Sequence, residues 1–201
     1  MKPVLAQPIH PLYAWVGPPA SEKSTHALKF ARRLLRKGFD LPFVVRPTKS
    51  VRDHEREHEG FLVTKGGERY PSLEVNSASQ ILPLVEGFGA FWFDEPMLFD
   101  DEHLVYEAVV TCRTRGPVLL SGCPATSEMQ PFFSSLPRLL AVTDYVTWCK
   151  ADCDGCGRMN AATRAFYMRG SKTEEVEVGG EQTYQPLCPT CWNNKTSSLL
   201  V

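Results

Sequence analysis

The chain has 201 residues, 43% of them hydrophobic and 10% aromatic, with 22 Lys+Arg against 23 Asp+Glu for a net charge of −1. That suits one medium domain with a small satellite and is too apolar for a disordered chain. The near-cancelling charge argues against a polyanion-coating protein, so no nucleic acid polymer is expected as a partner. No apolar run reaches the ~18 residues of a membrane span, and the N-terminal MKPVLAQPIHP lacks the apolar core of a secretory leader. A cytoplasmic protein without membrane contact is therefore expected.

In chain order, residues 12–16 (Leu-Tyr-Ala-Trp-Val) read as a buried strand running into a loop at Gly17. From Ser24 the period changes: Ala27, Leu28, Ala31, Leu34 and Leu35 recur at helical spacing, Lys29, Arg32, Arg33 and Arg36 fill the other face, and Gly38 stands where a helix-ending glycine belongs. Phe43–Val45 is a second apolar run. Residues 46–70 are polar and read mostly as loop, with a short strand expected over 73–75. Residues 89–93 form another buried strand, closed by Asp94 and Glu95. Leu104, Val105, Ala108, Val109 and Cys112 predict a helix, and Val118–Leu120 a further strand. Apolar strands alternating with amphipathic helices predict an α/β fold, a mainly parallel sheet with helices on both faces. The alternation stops near residue 147, which divides the chain into domains over 1–147 and 148–201.

Three constellations carry chemistry. Gly17-Pro-Pro-Ala-Ser21-Glu-Lys23-Ser24-Thr25 matches the phosphate-binding loop G-x-x-x-x-G-K-[ST] between a strand and a helix, except that Glu22 stands where the pattern has glycine. Such a loop wraps backbone N–H groups round a phosphate, its lysine neutralises β/γ charge and its hydroxyl binds Mg²⁺. A Glu22 carboxylate either pairs with Lys23 and opposes the phosphates, or turns outward. The second constellation is the acid pair Asp94-Glu95 at a buried strand end, suited to reaching a metal and to acting as a base. The third is Cys153-x-x-Cys156 with Cys188-x-x-Cys191, the spacing of a tetrahedral four-thiolate zinc site. The remaining cysteines, Cys112, Cys123 and Cys149, are scattered, and the odd total argues against a disulfide framework.

These motifs, in this order, resemble the type II thymidine kinases, which pair a phosphate-loop domain with a small zinc-binding lasso domain. That family's loop reads like GPMFSGKST and here reads GPPASEKST; its DEAQFF-like strand end is here Asp94-Glu95-Pro-Met-Leu-Phe99. Pro47 to Arg52, Gly122 to Phe132, and Val178-Gly179-Gly180 with Tyr184 before Cys188 follow further family segments. The resemblance implies a kinase that moves the γ-phosphate of ATP, with Mg²⁺, to the 5′-hydroxyl of thymidine or a related deoxynucleoside. It implies that Gly17, Ser21, Lys23, Ser24, Thr25, Arg52 and Asp94 serve phosphate and metal, and that Glu95 is the base. Leu98, Phe132, Thr163, Val178, Gly179, Gly180 and Tyr184 would hold the nucleoside. Cys153, Cys156, Cys188 and Cys191 would bind structural zinc, and the chain would assemble as a homo-oligomer, a tetramer by resemblance. Glu22, Ser50, Pro124, Met97, Leu98 and Ser127 depart from the family pattern, so a relative that binds nucleotide or a protein partner without turnover is the alternative expectation.

Overall fold

The apolar runs form one sheet because each is too short for a helix and is buried on both faces. The computed structural model describes residues 9–40, 42–51, 57–131, 135–168 and 183–198. The strands are β1 (Leu12–Val16), β2 (Phe43–Pro47), β3 (Phe61–Val63), β4 (Arg69–Val75), β5 (Phe91–Asp94), β6 (Val118–Gly122) and β7 (Tyr145–Trp148). Their spatial order is β3-β4-β2-β5-β6-β1-β7, and every pair is parallel except β3 with β4. Among the described residues the α-helices of this part are α1 (Lys23–Arg36), α2 (Glu102–Cys112) and α3 (Ser135–Ala141).

Alternation along each strand sends side chains to two cores. Trp15, Val44, Trp92 and Leu119 pack under Ala27, Leu28, Ala31 and Leu34 of α1. Leu12, Ala14, Val16, Phe91, Phe93, Val118 and Leu120 face the other way, onto Val105, Ala108, Val109 and Cys112 of α2 and Leu139 of α3. Cys112 is a core residue here; burial pushes its thiol up to about 12. Beyond β7 the chain forms a two-stranded antiparallel hairpin, β8 (Arg164–Tyr167) with β9 (Tyr184–Leu187), followed by α4 (Pro189–Ser197).

The expectation of loop over 46–70 is corrected. β2 extends through Arg46 and Pro47, β3 forms at Phe61–Val63, and β4 begins at Arg69. Arg46 looked too polar for a strand. It lies buried because Glu74, across the β2–β4 ladder, takes its guanidinium at 2.8 Å and the Phe61 carbonyl accepts a second bond at 3.0 Å. α3 and β7 were also missed. β7 carries four exposed residues and no alternation, and it is held by ladder bonds to β1 and by Asp144, which accepts from the Leu12 N–H and from Arg113.

Asp101 ties the turn after β4 to the start of α2. It accepts bonds from the Ser77 hydroxyl, from the Ala78 N–H at 2.5 Å and from the Ser79 N–H at 3.0 Å. Partial burial pushes its carboxyl up, but these donors outweigh it and hold it below the ordinary value. A depressed folded value means the stabilisation is present above the unfolded carboxylate range and is lost as pH falls through the folded value. Asp101→Asn should therefore cost about 1–2 kcal/mol at neutral pH. Urea unfolding across a pH series should show the gap between variant and wild type closing below about pH 4.

Candidate functional site

Parallel pairing brings three strand ends level. Asp94 stands opposite Ser121, Ser121 opposite Trp15, and Val16 opposite Gly122. The loops leaving β1, β5 and β6 therefore emerge side by side at the carboxyl edge of the sheet, where ligands of open α/β sheets bind.

The loop after β1 turns tightly. A side chain on Gly17 would lie 2.3 Å from the Cys149 carbonyl oxygen, so only glycine lets the segment after β7 come this close. The Cys149 N–H completes the approach, donating to the Val16 carbonyl at 2.7 Å. Ser21 folds inward, its hydroxyl donating to the Pro18 carbonyl at 2.7 Å. Ala20 and Glu22 both take positive φ, 62° and 57°. The conformation that demands glycine in the usual pattern is thus present with glutamate in it. Glu22 itself is exposed, and the ion pair recorded for Lys23 is with Glu95, not Glu22.

Lys23 opens α1 and is only 6% exposed. Its ammonium donates to the Pro18 carbonyl at 3.0 Å and to Cys123 Sγ at 3.7 Å, and it lies 3.9 Å from the Glu95 carboxylate. The Ser24 hydroxyl donates to Asp94 Oδ1 at 3.0 Å. Thr25, half-buried, completes the first turn, and the first intrahelical bond runs from His26 N–H to Glu22 O. The preceding N–H groups point along the helix axis toward the loop, the arrangement that receives a phosphate. Glu95 also adopts positive φ, 48°, which turns the chain sharply at the strand end and faces its carboxylate to Lys23.

Six expected residues therefore converge: Gly17, Ser21, Lys23, Ser24, Asp94 and Glu95. Leu98 closes the short turn Pro96–Leu98 beyond Glu95 and is half-buried. Thr163 and Tyr184 lie toward opposite ends of the hairpin: the Thr163 N–H donates to Leu187 O, while Tyr184 pairs with Tyr167. Arg52, Phe132, Val178, Gly179 and Gly180 lie outside the described residues. Sequence reasoning missed Cys123, Ser121 and the backbone of Cys149. Each reaches the site through strand register, which no local pattern announces.

The four thiols of Cys153, Cys156, Cys188 and Cys191 gather with every sulfur within 4.8 Å of the others. A tetrahedral zinc with ~2.3 Å bonds sets its sulfurs ~3.8 Å apart, so the donor set fits one zinc ion. The first pair is a tight knuckle, in which Gly157 N–H donates to Cys153 O at 2.7 Å and Cys153 N–H to Arg158 O at 2.9 Å. The Cys188 N–H donates to Cys153 Sγ at 3.2 Å. Burial pushes the Cys153 thiol up, but N–H groups of Cys188, Cys156 and Gly155 outweigh it and bring it down to about 6. The buried core round this cluster is Ala151, Cys153, Ala162, Leu187 and Cys188, with Ala161, Phe166, Cys191, Trp192 and, from the phosphate loop, Ala20 packed against it.

A family model for thymidine kinase matches residues 11–192. Two curated relatives, each described as thymidine kinase and from two strains of Porphyromonas gingivalis, are 29% identical over 154 residues, 77% of this chain and 71% of each relative. The chain belongs to the thymidine kinase family, in its type II form of an α/β phosphate-loop fold with a C-terminal four-cysteine lobe. Among the described residues no helix is long and apolar enough to cross a membrane.

Metal analysis should give about one zinc per chain, and Cys188→Ser should release it. A hairpin with so small a core should then become protease-sensitive, whereas zinc-free protein with a protected C-terminal lobe would refute the structural role. At Glu22, glycine should relieve backbone strain of about 1 kcal/mol, raising Tm by about 2–4 °C. Because Glu22 is exposed and Lys23 pairs with Glu95, calorimetric titration should show less than about a threefold change in nucleotide affinity, under 1 kcal/mol.

Proposed function

We propose that the chain is an ATP-dependent deoxynucleoside kinase whose acceptor is the 5′-hydroxyl of thymidine or a close relative. The observation that supports it most is the meeting of Lys23, Ser24, Asp94 and Glu95 at one sheet edge, within a chain of the thymidine kinase family. The first-turn N–H groups and the Lys23 ammonium cradle the β- and γ-phosphates and neutralise their charge. Ser24 and Asp94 offer a hydroxyl and a carboxylate oxygen, donors suited to Mg²⁺, which when bound draws negative charge from the phosphate oxygens. Glu95 takes the proton of the 5′-hydroxyl as that oxygen bonds to the γ-phosphorus and the bond to the β,γ-bridging oxygen breaks. Its pairing with Lys23 before nucleotide arrives keeps both groups in register for that moment.

Structural zinc at the four cysteines is part of this reading. So is assembly as a homo-oligomer, supported by the exposed β7 edge with Tyr145 60% and Trp148 62% exposed. A cytoplasmic location also belongs to it. The alternative, a relative that binds nucleotide without turnover, is favoured by one observation, Glu22 in a loop position built for glycine.

One assay separates them: ADP formed by purified protein with ATP, Mg²⁺ and thymidine. Turnover in the wild type that drops about 10²–10⁴-fold in Glu95→Gln, with Tm nearly unchanged, is the expected result. Nucleoside-independent background alone in the wild type would favour the silent relative. Undiminished turnover in Glu95→Gln would assign the base elsewhere.

A further inference from the structure

Trp92 and Ser121 are both completely buried, on the neighbouring strands β5 and β6, and the kinase reading uses neither. The indole N–H of Trp92 donates to Ser121 Oγ at 2.7 Å. An indole is a donor only, so the Ser121 oxygen is the acceptor in that bond and its single proton is left for another partner. That partner is Asp94 Oδ1, opposite Ser121 in the strand register. The same carboxylate oxygen accepts from the Ser24 hydroxyl at 3.0 Å. Donation thus runs one way, from Trp92 through Ser121 to Asp94, and converges there with Ser24.

The direction has a consequence at the site. A serine hydroxyl alone rotates to suit any neighbour, but a buried indole N–H without an acceptor is costly, and Trp92 cannot turn away because it is packed beneath α1 against Tyr70. Trp92 therefore holds the Ser121 rotor, and Ser121 holds the Asp94 carboxylate. The Ser24 proton is drawn to that carboxylate, which turns the Ser24 lone pairs away from Asp94. Lone pairs and a fixed carboxylate are what a hard cation needs from these two residues.

We propose that Trp92 and Ser121 are positioning residues that orient Asp94, and through it the Ser24 hydroxyl, for a divalent cation carried in with nucleotide. The inference rests on the phosphate-loop reading above. It assigns a role to two buried residues that no motif contains.

The test is the Mg²⁺ dependence of ATP affinity, measured by calorimetry on the full chain with and without metal. Outer-sphere partners of metal ligands typically change metal affinity by about 10–100-fold. Ser121→Ala should raise the Mg²⁺ concentration needed for half-maximal tightening by about tenfold, with metal-free ATP affinity unchanged. Trp92→Phe keeps the Ser121–Asp94 bond and should shift it less. Ser121→Ala also orphans the indole and should melt lower for that reason alone. The double variant Trp92→Phe/Ser121→Ala removes donor and acceptor together, so it should regain much of the stability while keeping the shifted Mg²⁺ dependence. A double variant that regains wild-type Mg²⁺ dependence would show the effect to be mere destabilisation and overturn the proposal. Equal loss of metal-free and metal-dependent affinity, or no change in any variant, would overturn it too. Wild-type protein that binds no ATP with Mg²⁺ would remove the nucleotide-binding reading itself, and the proposal with it.

Discussion

The parallel register of β1, β5 and β6 is the constraint on which the site depends. It sets Trp15, Asp94 and Ser121 at one level, so three loops leave the sheet together and their side chains meet. A slip of one residue in β5 would send Asp94 to the opposite face, away from α1 and Ser24. The register is secured by burial on both sides: Phe91 and Phe93 face one core while Trp92 faces the other, and Val118 and Leu120 oppose Leu119 in the same way. The two cores thus do more than stabilise; they decide which groups can reach one another.

Around that edge the backbone carries strain where the chemistry is gathered. Ala20, Glu22 and Glu95 all hold left-handed conformations that side chains disfavour. In the loop, this geometry folds Ser21 and Lys23 inward, each against the Pro18 carbonyl. At Glu95 it turns the chain out of the sheet quickly enough for its carboxylate to face the Lys23 ammonium. A buried lysine is tolerated because carbonyl, thiol and carboxylate surround it, which spreads the desolvation cost over several partners.

The C-terminal lobe is coupled to this loop by backbone and not by motif. Cys149 closes on Gly17 directly after β7, and Ala20 packs on the small cluster that the four cysteines organise. Because few residues of that cluster are fully buried, the four thiols and the phosphate loop share its packing. Order in the lobe and the shape of the loop are consequently linked through a few contacts at Gly17 and Ala20.

Much was legible from residue order alone. The short apolar runs located β1, β2, β5 and β6, the helical spacing located α1 and α2, and the G-x-x-x-x-x-K-S-T, Asp-Glu and paired C-x-x-C signals named the residues that converge, because each is a local pattern with a local cause. What lacked a local cause stayed hidden. β3 is three residues that become a strand only by pairing with β4, β7 is exposed throughout and is held by β1 and Asp144, and Arg46 is buried only because Glu74 lies across the ladder. The outward turn of Glu22, the Lys23–Glu95 pair and the donation from Trp92 through Ser121 to Asp94 belong to the same class. These are meetings of residues far apart in sequence, and only the packed sheet, by fixing which strand lies beside which and at what level, decided them.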